Sequence, residues 1–323
     1  MDSAYLLALQ LFGSGQDELA HQLLRRLGCT YHLSPLVLLY QSTPRAEIRH
    51  PADPAVVHSP IRIFKHVLAG SLISALQAGF APESAFWQEH GYGQRTAPFF
   101  SYFYDLGWEP QTTIEAAIQA VHTALQASAC APWLMTPEGP VVVAEWWVHV
   151  READAPHQLH FDVDESRLRQ GRNKYQLCHP AVSSVVFLSC PETGGPTLVI
   201  DQIPQDDLGQ RGWLVSPEVG KLLAFRGTLL HGVLPGPPSP AGMGPSRLTL
   251  IIAWWSAVLQ PQTGPPGLGS ARIVPYTNAR HGPEMSSLPR SSMHMTTPTE
   301  ERIPVRTSGS PDEIRKLYDA HAG

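Results

Sequence analysis

A mainly β core braced by helices, an α+β arrangement, is the fold class this sequence predicts, and two observations carry the expectation. Helical periodicity dominates the first third of the chain. From Val141 onward it gives way to short runs rich in β-branched and aromatic residues, at Val141–Val150, Val182–Leu188, Thr197–Ile200, Lys221–Phe225 and Leu248–Trp255. Helices first and strands afterwards favour this class over an alternating α/β fold. Strands this short suit a barrel or sandwich, and Thr193-Gly194-Gly195-Pro196 and Arg226-Gly227 supply residues that bend a chain sharply between them.

In the helical part, Leu19, Leu23, Leu24 and Leu27 recur at helical spacing, and Gly28 follows where a C-terminal cap would sit. A second helix is expected over Ile63–Phe80. A third begins at Thr112-Thr113-Ile114-Glu115, a capping-box pattern followed by Ile118, Val121 and Leu125. These three segments are expected to brace one side of a sheet. The resulting division is 1–135 as a helical buttress of the same domain, 136–258 as the β core, and 259–323 as a Pro/Gly/Ser-rich extension read as loop. A short terminal helix is expected after Ser310-Pro311-Asp312-Glu313. The sequence holds no internal repeat.

Composition narrows the partners. With 323 residues, 23 basic against 28 acidic and a formal net charge of -5, the chain carries no strong electrostatic signal for nucleic acid or an anionic membrane. Cys29, Cys130, Cys178 and Cys190 form no C-x-x-C pair, which argues against a zinc site or a disulfide framework and for the cytoplasm or another reducing compartment. The apolar start Tyr5–Leu9 follows Asp2 without a basic n-region and is too short to span a bilayer, so neither a signal peptide nor a transmembrane segment is read there. Oligomeric state is not legible.

The chemistry-bearing pattern begins at His160-Phe161-Asp162. Two residues apart on a strand, the imidazole and the carboxylate point to one face and can ligate one metal. Two histidines and one carboxylate can occupy one face of an octahedral Fe(II), leaving three positions open. Alone the tripeptide is weak, since fifteen histidines make about one such occurrence expected by chance. The context downstream adds weight. Lys221–Phe225 reads as a buried strand, Arg226-Gly227 as a turn and His231-Gly232-Val233 as the next strand start. Sixteen residues after His231, Arg247-Leu248-Thr249 opens the apolar run Leu250–Trp255. A guanidinium in such a strand calls for an anion.

In these residues the chain resembles the Fe(II)/2-oxoglutarate oxygenase superfamily, in its prolyl-hydroxylase-like and phytanoyl-hydroxylase-like branches, over roughly Val141–Ser256. The order His160 and Asp162, then Gly194-Gly195, then His231, then Arg247 with Thr249 is similar to the family pattern. The resemblance implies a double-stranded β-helix, or jelly roll, packed against the N-terminal helices. It also implies Fe(II) on His160, Asp162 and His231, with 2-oxoglutarate as co-substrate, O2 as oxidant and ascorbate as a supporting reductant. Arg247 would pair with the far carboxylate of 2-oxoglutarate, Thr249 would add a hydroxyl, and Tyr175 would lie against the same carboxylate. His149 falls on the strand that lines the co-substrate pocket in relatives, with a core histidine as the plain alternative. An aspartate at 162 favours hydroxylation or a related oxidation over halogenation.

Other residues are read more plainly. His157, three before His160, is placed by odd spacing on the opposite strand face, as a rim residue. Arg226 precedes His231 in a turn and is the weaker anion partner. The aromatic run Phe99–Tyr104 and Trp146-Trp147 are core before they are pocket. The basic cluster Arg167–Lys174 is a solvated loop before it is a clamp for an acidic substrate. The substrate stays open: a peptidyl residue such as proline, a free amino acid, a lipid-like acid, a nucleobase or a small metabolite. The competing classes are a non-catalytic, metal-binding cupin-like protein and a zinc hydrolase built on the same His-Asp-His set.

Overall fold

The computed structural model describes residues 2–29, 31–34, 37–40, 59–89, 100–152, 154–165, 167, 177–189, 194–206, 209–236, 247–256, 269–273 and 299–301. Its helices are α1 (Asp2–Gly13), α2 (Asp17–Arg26), α3 (Gly70–Gly79), α4 (Ala85–Glu89) and α5 (Thr113–Gln126). The strands are β1 (Val37–Tyr40), β2 (Ile61–Lys65), β3 (Phe100–Asp105), β4 (Met135–Thr136), β5 (Gly139–Pro140), β6 (Val143–Arg151), β7 (His157–His160) and β8 (Val182–Ser189). There follow β9 (Thr197–Ile200), β10 (Gly212–Val215), β11 (Leu222–Arg226), β12 (Leu230–Val233), β13 (Arg247–Trp255), β14 (Gly269–Ile273) and β15 (Thr299–Glu301). No described helix is long and apolar enough to cross a membrane.

Two sheets carry the fold. One has the order β1-β10-β9-β12-β7 and the other β14-β3-β6-β13-β8-β11-β2-β15. Successive strands from β6 to β13 fall into the antiparallel ribbons β6-β13-β8-β11 and β7-β12-β9-β10, one in each sheet. That order is the double-stranded β-helix. It closes on an inner core that includes Phe103, Trp147, Val185, Phe187, Val199, Trp213, Leu223, Phe225 and Ile251.

Each sheet also buries its outer face. Behind the eight-stranded sheet, Trp146, Trp254, Leu250 and Ile252 pack with Leu72 and Leu76 of α3 and with Ile118, Val121 and Leu125 of α5. Behind the five-stranded sheet, Leu198, Ile200 and Leu214 pack with Tyr5, Leu9 and Phe12 of α1 and Leu24 of α2. The helices thus brace both sheets, not one side as the sequence suggested. With both faces covered, β13 is buried along its whole length, which is why Leu248–Trp255 reads as a continuous apolar run rather than an alternation.

The helix caps match the sequence. Thr112 accepts from Glu115 N at 3.2 Å while Glu115 Oε2 accepts from Thr112 N at 3.0 Å, closing the capping box. Gly28, at φ 82°, ends α2, with Cys29 N donating to Leu24 O at 3.0 Å.

Three expectations are corrected. Ile61–Lys65 is a strand and the helix begins only at Gly70, because Ile61 and Ile63 alternate into the inner core instead of following a helical stripe. The division at 135/136 does not separate buttress from core, since β1, β2 and β3 lie within the two sheets. The C-terminal extension is not all loop, as β14 and β15 add to opposite edges of the larger sheet. The helix expected after Ser310 lies outside the described residues.

Removing the cap with Thr112→Ala is expected to cost about 1 kcal/mol, read as a lower urea midpoint with an unchanged slope. A change within error would show that the box contributes nothing in this context.

Candidate functional site

Side chains of the five-stranded sheet alternate between its faces: Leu198, Ile200, Leu214 and Leu230 point to the helices, Val199, Trp213 and Val215 to the interior. By that parity His231 of β12 faces inward, and pairing with β7 sets it directly opposite His160, with ring centroids 4.3 Å apart. Asp162 lies two residues past His160. Its Oδ1 is 3.7 Å from His160 Nε2 and its Oδ2 3.6 Å from His231 Nε2. One ligand atom from each of the three residues lies within 4.8 Å of the others.

Each group is oriented from behind. His160 Nδ1 is 2.9 Å from Gln158 O, and His231 Nδ1 is 3.0 Å from Leu229 O. A carbonyl only accepts, so each Nδ1 carries the ring proton and each Nε2 presents a lone pair on the Asp162 side. Ser183 Oγ, reaching from β8 in the opposite sheet, donates to Asp162 Oδ2 at 2.6 Å. Burial holds the His231 pKa below its ordinary value, against the upward pull of Asp162. Two imidazoles and one carboxylate suit a first-row divalent metal. Ligands about 2.1 Å from such an ion stand about 3 Å apart when adjacent, so a small inward adjustment would complete the set. The donor set fits Fe(II).

His157 is not on the outer face, where sequence parity put it. Its ring stands 4.7 Å from that of His160 and 5.4 Å from that of His149. The cause is a bulge. His231 pairs with His160 but Val233 pairs with His157, so three residue steps on β7 match two on β12 and the alternation resets. Gly232 permits this, since a Cβ there would lie 2.7 Å from His157 O and 3.1 Å from Gln158 O.

On the larger sheet, Ile251, Ala253 and Trp255 of β13 face the interior, so Arg247 and Thr249 do as well. Arg247 is buried, donating from Nη1 to Gly195 O at 2.8 Å and from Nη2 to Thr197 Oγ1 at 2.7 Å, with its guanidinium 5.2 Å over the Phe187 ring. Gly195 is irreplaceable there because a Cβ would stand 1.7 Å from Leu234 O. Thr249 is the register partner of His149 on β6. The pKa of His149 is held well below its ordinary value by burial and then by Arg151, His157, His160 and Arg247. That of His157 is lowered to about 3 by burial, Arg151 and His160. Both rings are therefore neutral near pH 7.

Arg226 ends β11 exposed, 5.5 Å over the Trp133 ring and away from this interior. Of the basic cluster, Arg167 pairs with Asp164 at 3.3 Å and the remainder lies outside the described residues, as does Tyr175. Of the tryptophan pair, Trp147 faces the interior and Trp146 the helices.

Sequence reasoning missed Glu145, Ser183, Arg151 and the inward turn of His157. Glu145 lies in an in-register row across the sheet, Phe103–Glu145–Ala253–Ser183–Phe225, and so shares with Asp162 the space above the small Ala253. Ser101 Oγ donates to it and in turn accepts from Ala271 N. Burial first, and Asp162 and Asp164 after it, raise the Glu145 pKa to about 7. An acidic residue at alternating spacing inside Val143–Arg151 is the one signal that could have flagged it.

No family model and no curated protein matches this chain. Solved structures are similar to it. A prolyl-4-hydroxylase from Pseudomonas putida aligns at 18% identity over 63% of this chain and 96% of its own, with a TM-score of 0.39. An oxidoreductase of the 2OG-Fe(II) oxygenase family from Burkholderia pseudomallei aligns at 14% identity over 74% and 99%, with a TM-score of 0.36. HygX from Streptomyces hygroscopicus, solved with nickel and 2-oxoglutarate bound, aligns at 12% identity over 67% and 93%, with a TM-score of 0.35. The superpositions are loose, and the fold class rests on the strand order of this chain.

Two outcomes are expected of this geometry. Gly232→Ala should displace the β7 bulge, costing about 1–3 kcal/mol and weakening metal binding, read by chelator competition. Full retention of metal affinity would free the triad from the bulge. In metal-free protein, the raised Glu145 pKa makes its contribution to stability full below about 4.5 and lost as pH climbs through about 7. Stability of the wild type relative to Glu145→Gln should therefore fall by roughly 3 kcal/mol between pH 4 and 8. Parallel urea profiles for the two proteins would contradict this.

Proposed function

We propose that the protein is an Fe(II)- and 2-oxoglutarate-dependent oxygenase that hydroxylates an unactivated C–H bond of an organic substrate, a peptidyl residue such as proline being one candidate. The observation that carries this reading is the meeting, inside one double-stranded β-helix, of the His160-Asp162-His231 cluster with the buried, inward-facing Arg247. A metal site alone needs no buried cation.

Iron with 2-oxoglutarate and O2 supplies the oxidising power for C–H oxidation, with succinate and carbon dioxide as co-products. The chain's own groups do the rest. His160, Asp162 and His231 hold the metal from one side, with Gln158 O, Leu229 O and Ser183 keeping them aimed. Arg247 anchors the far carboxylate through its planar fork, with Thr249 beside it. The neutral His149 and His157 line the space between without adding charge. Trp147, Phe187 and Ile251 keep that space apolar and exclude water.

Anaerobic titration of the iron-loaded protein with 2-oxoglutarate is expected to develop the weak metal-to-ligand absorption of the chelate, and admitting oxygen should release succinate. Asp162→Ala should abolish both while leaving the circular dichroism spectrum intact. Folded, iron-loaded protein that gives neither signal would sink the reading in favour of a metal-binding protein without oxygenase activity.

A further inference from the structure

We propose that Arg151 and His157 form a second anion-recognition position beside Arg247, so that the far carboxylate of a 2-oxo acid is held by guanidinium groups from two neighbouring strands. The inference rests on the oxygenase reading and deepens it, naming residues that set which 2-oxo acid the site accepts.

The geometry follows from strand register. Arg151 ends β6 and Arg247 begins β13, and the two are direct Cα partners across the antiparallel pair. Both share the parity of the interior-facing Trp147 and Ile251. Directly opposed residues on such strands have Cβ atoms about 5 Å apart, so the two long cationic side chains issue from adjacent points of one wall. Arg151 Nη2 lies 2.9 Å from His157 Nδ1, and the His157 ring stands 4.7 Å from that of His160. Arg151 Nη1 also reaches Pro156 O at 3.5 Å, so the guanidinium is held at the β6–β7 end of the wall, against His157.

This contact also fixes the His157 tautomer. Guanidinium nitrogen can only donate, so Nδ1 accepts, and the proton of the neutral ring sits on Nε2. His157 thus offers one further donor to the interior. A carboxylate lodged between the two guanidinium groups would be attracted by both. Its two oxygens offer about four lone-pair positions, enough for two guanidinium groups and an imidazole N–H. The bulge that turns His157 inward makes the arrangement possible, because regular alternation would point that ring to α1 and leave Arg151 without it.

The test uses two chelating acids that differ only at the far end: 2-oxoglutarate, and 2-oxobutyrate, which lacks the distal carboxylate. Iron-loaded full-length protein is titrated anaerobically with each, following chelate absorption. Wild type should bind 2-oxoglutarate more tightly. Arg151→Met should weaken 2-oxoglutarate binding about tenfold or more and leave 2-oxobutyrate within about twofold. Arg151→Lys, which keeps the charge without the fork, should fall between. Iron affinity by chelator competition and the unfolding midpoint should stay at wild-type values, separating recognition from misfolding. Equal losses for the two acids, or no loss, overturn the inference and leave the oxygenase reading standing. If wild type gives no absorption with either acid, the oxygenase reading fails and takes the inference with it.

Discussion

The pairing of β7 with β12 is the contact on which the rest of the site depends. It sets His160 opposite His231, and the turn after β7 brings Asp162 within reach of both rings. Neither strand is longer than four residues, so little in either one holds it in place by itself. The register is held from outside the pair. Leu230 on β12, Leu234 just after it, and Leu159 and Phe161 around β7 pack into the core beneath α1 and α2, and β9 pairs with the other edge of β12. A one-residue slip would exchange these apolar residues with the histidines. The N-terminal helices thereby determine which side of β7 carries His160, a candidate metal ligand.

The second organising element is β13, the central strand of the larger sheet. Its even-numbered residues pack on α3 and α5, and its odd-numbered ones supply the interior from Arg247 to Trp255. One strand therefore fixes both the seating of the helical layer and the depth at which Arg247 enters. The anchors at Gly195 O and Thr197 lie on and just before β9 of the other sheet, so the guanidinium ties the two sheets together at one end. Asp162 and Ser183 tie them towards the other end, beside Ala253. The polar crossings between the sheets are thus made by the groups the proposed chemistry needs.

This pattern explains what the sequence could and could not reveal. Long, strongly patterned segments were legible: β6, β8 and β13 were anticipated to within a few residues, and the capping box at Thr112 was read correctly because its signal is local. His160, Asp162, His231 and Arg247 were singled out by order along the chain, and the structure brings the first three together. The side of His157 was misread because a bulge changes parity without leaving a mark in its own strand; its enabling residue, Gly232, lies on the partner. β2 was merged into the following helix because Ile61, Ile63 and Phe64 satisfy either period over so short a span. Glu145 and Arg151 passed unnoticed because their meaning lies in which residues face them across β13, and register is not written in either strand alone.

Seen along β13, the interior is electrostatically divided. Arg247 and Arg151 stand at one end, with Glu145 and Asp162 gathered around Ala253, six residues further on. The strand positions lie about 20 Å apart along the backbone, but the side chains close that distance, since His157 feels both Arg247 and His160. The two ends carry opposite charge. At the acidic end Glu145 keeps its proton until about pH 7, which leaves Asp162 as the carboxylate to meet a metal ion. At the cationic end, on the oxygenase reading, the far carboxylate of the co-substrate would meet the guanidinium groups. On that reading charge alone does not choose the orientation, because 2-oxoglutarate carries a carboxylate at each end; the keto group beside the near one does. The division of charge along one strand would then serve to hold the far carboxylate, and the neutral His149 and His157 between the two ends add no charge of their own.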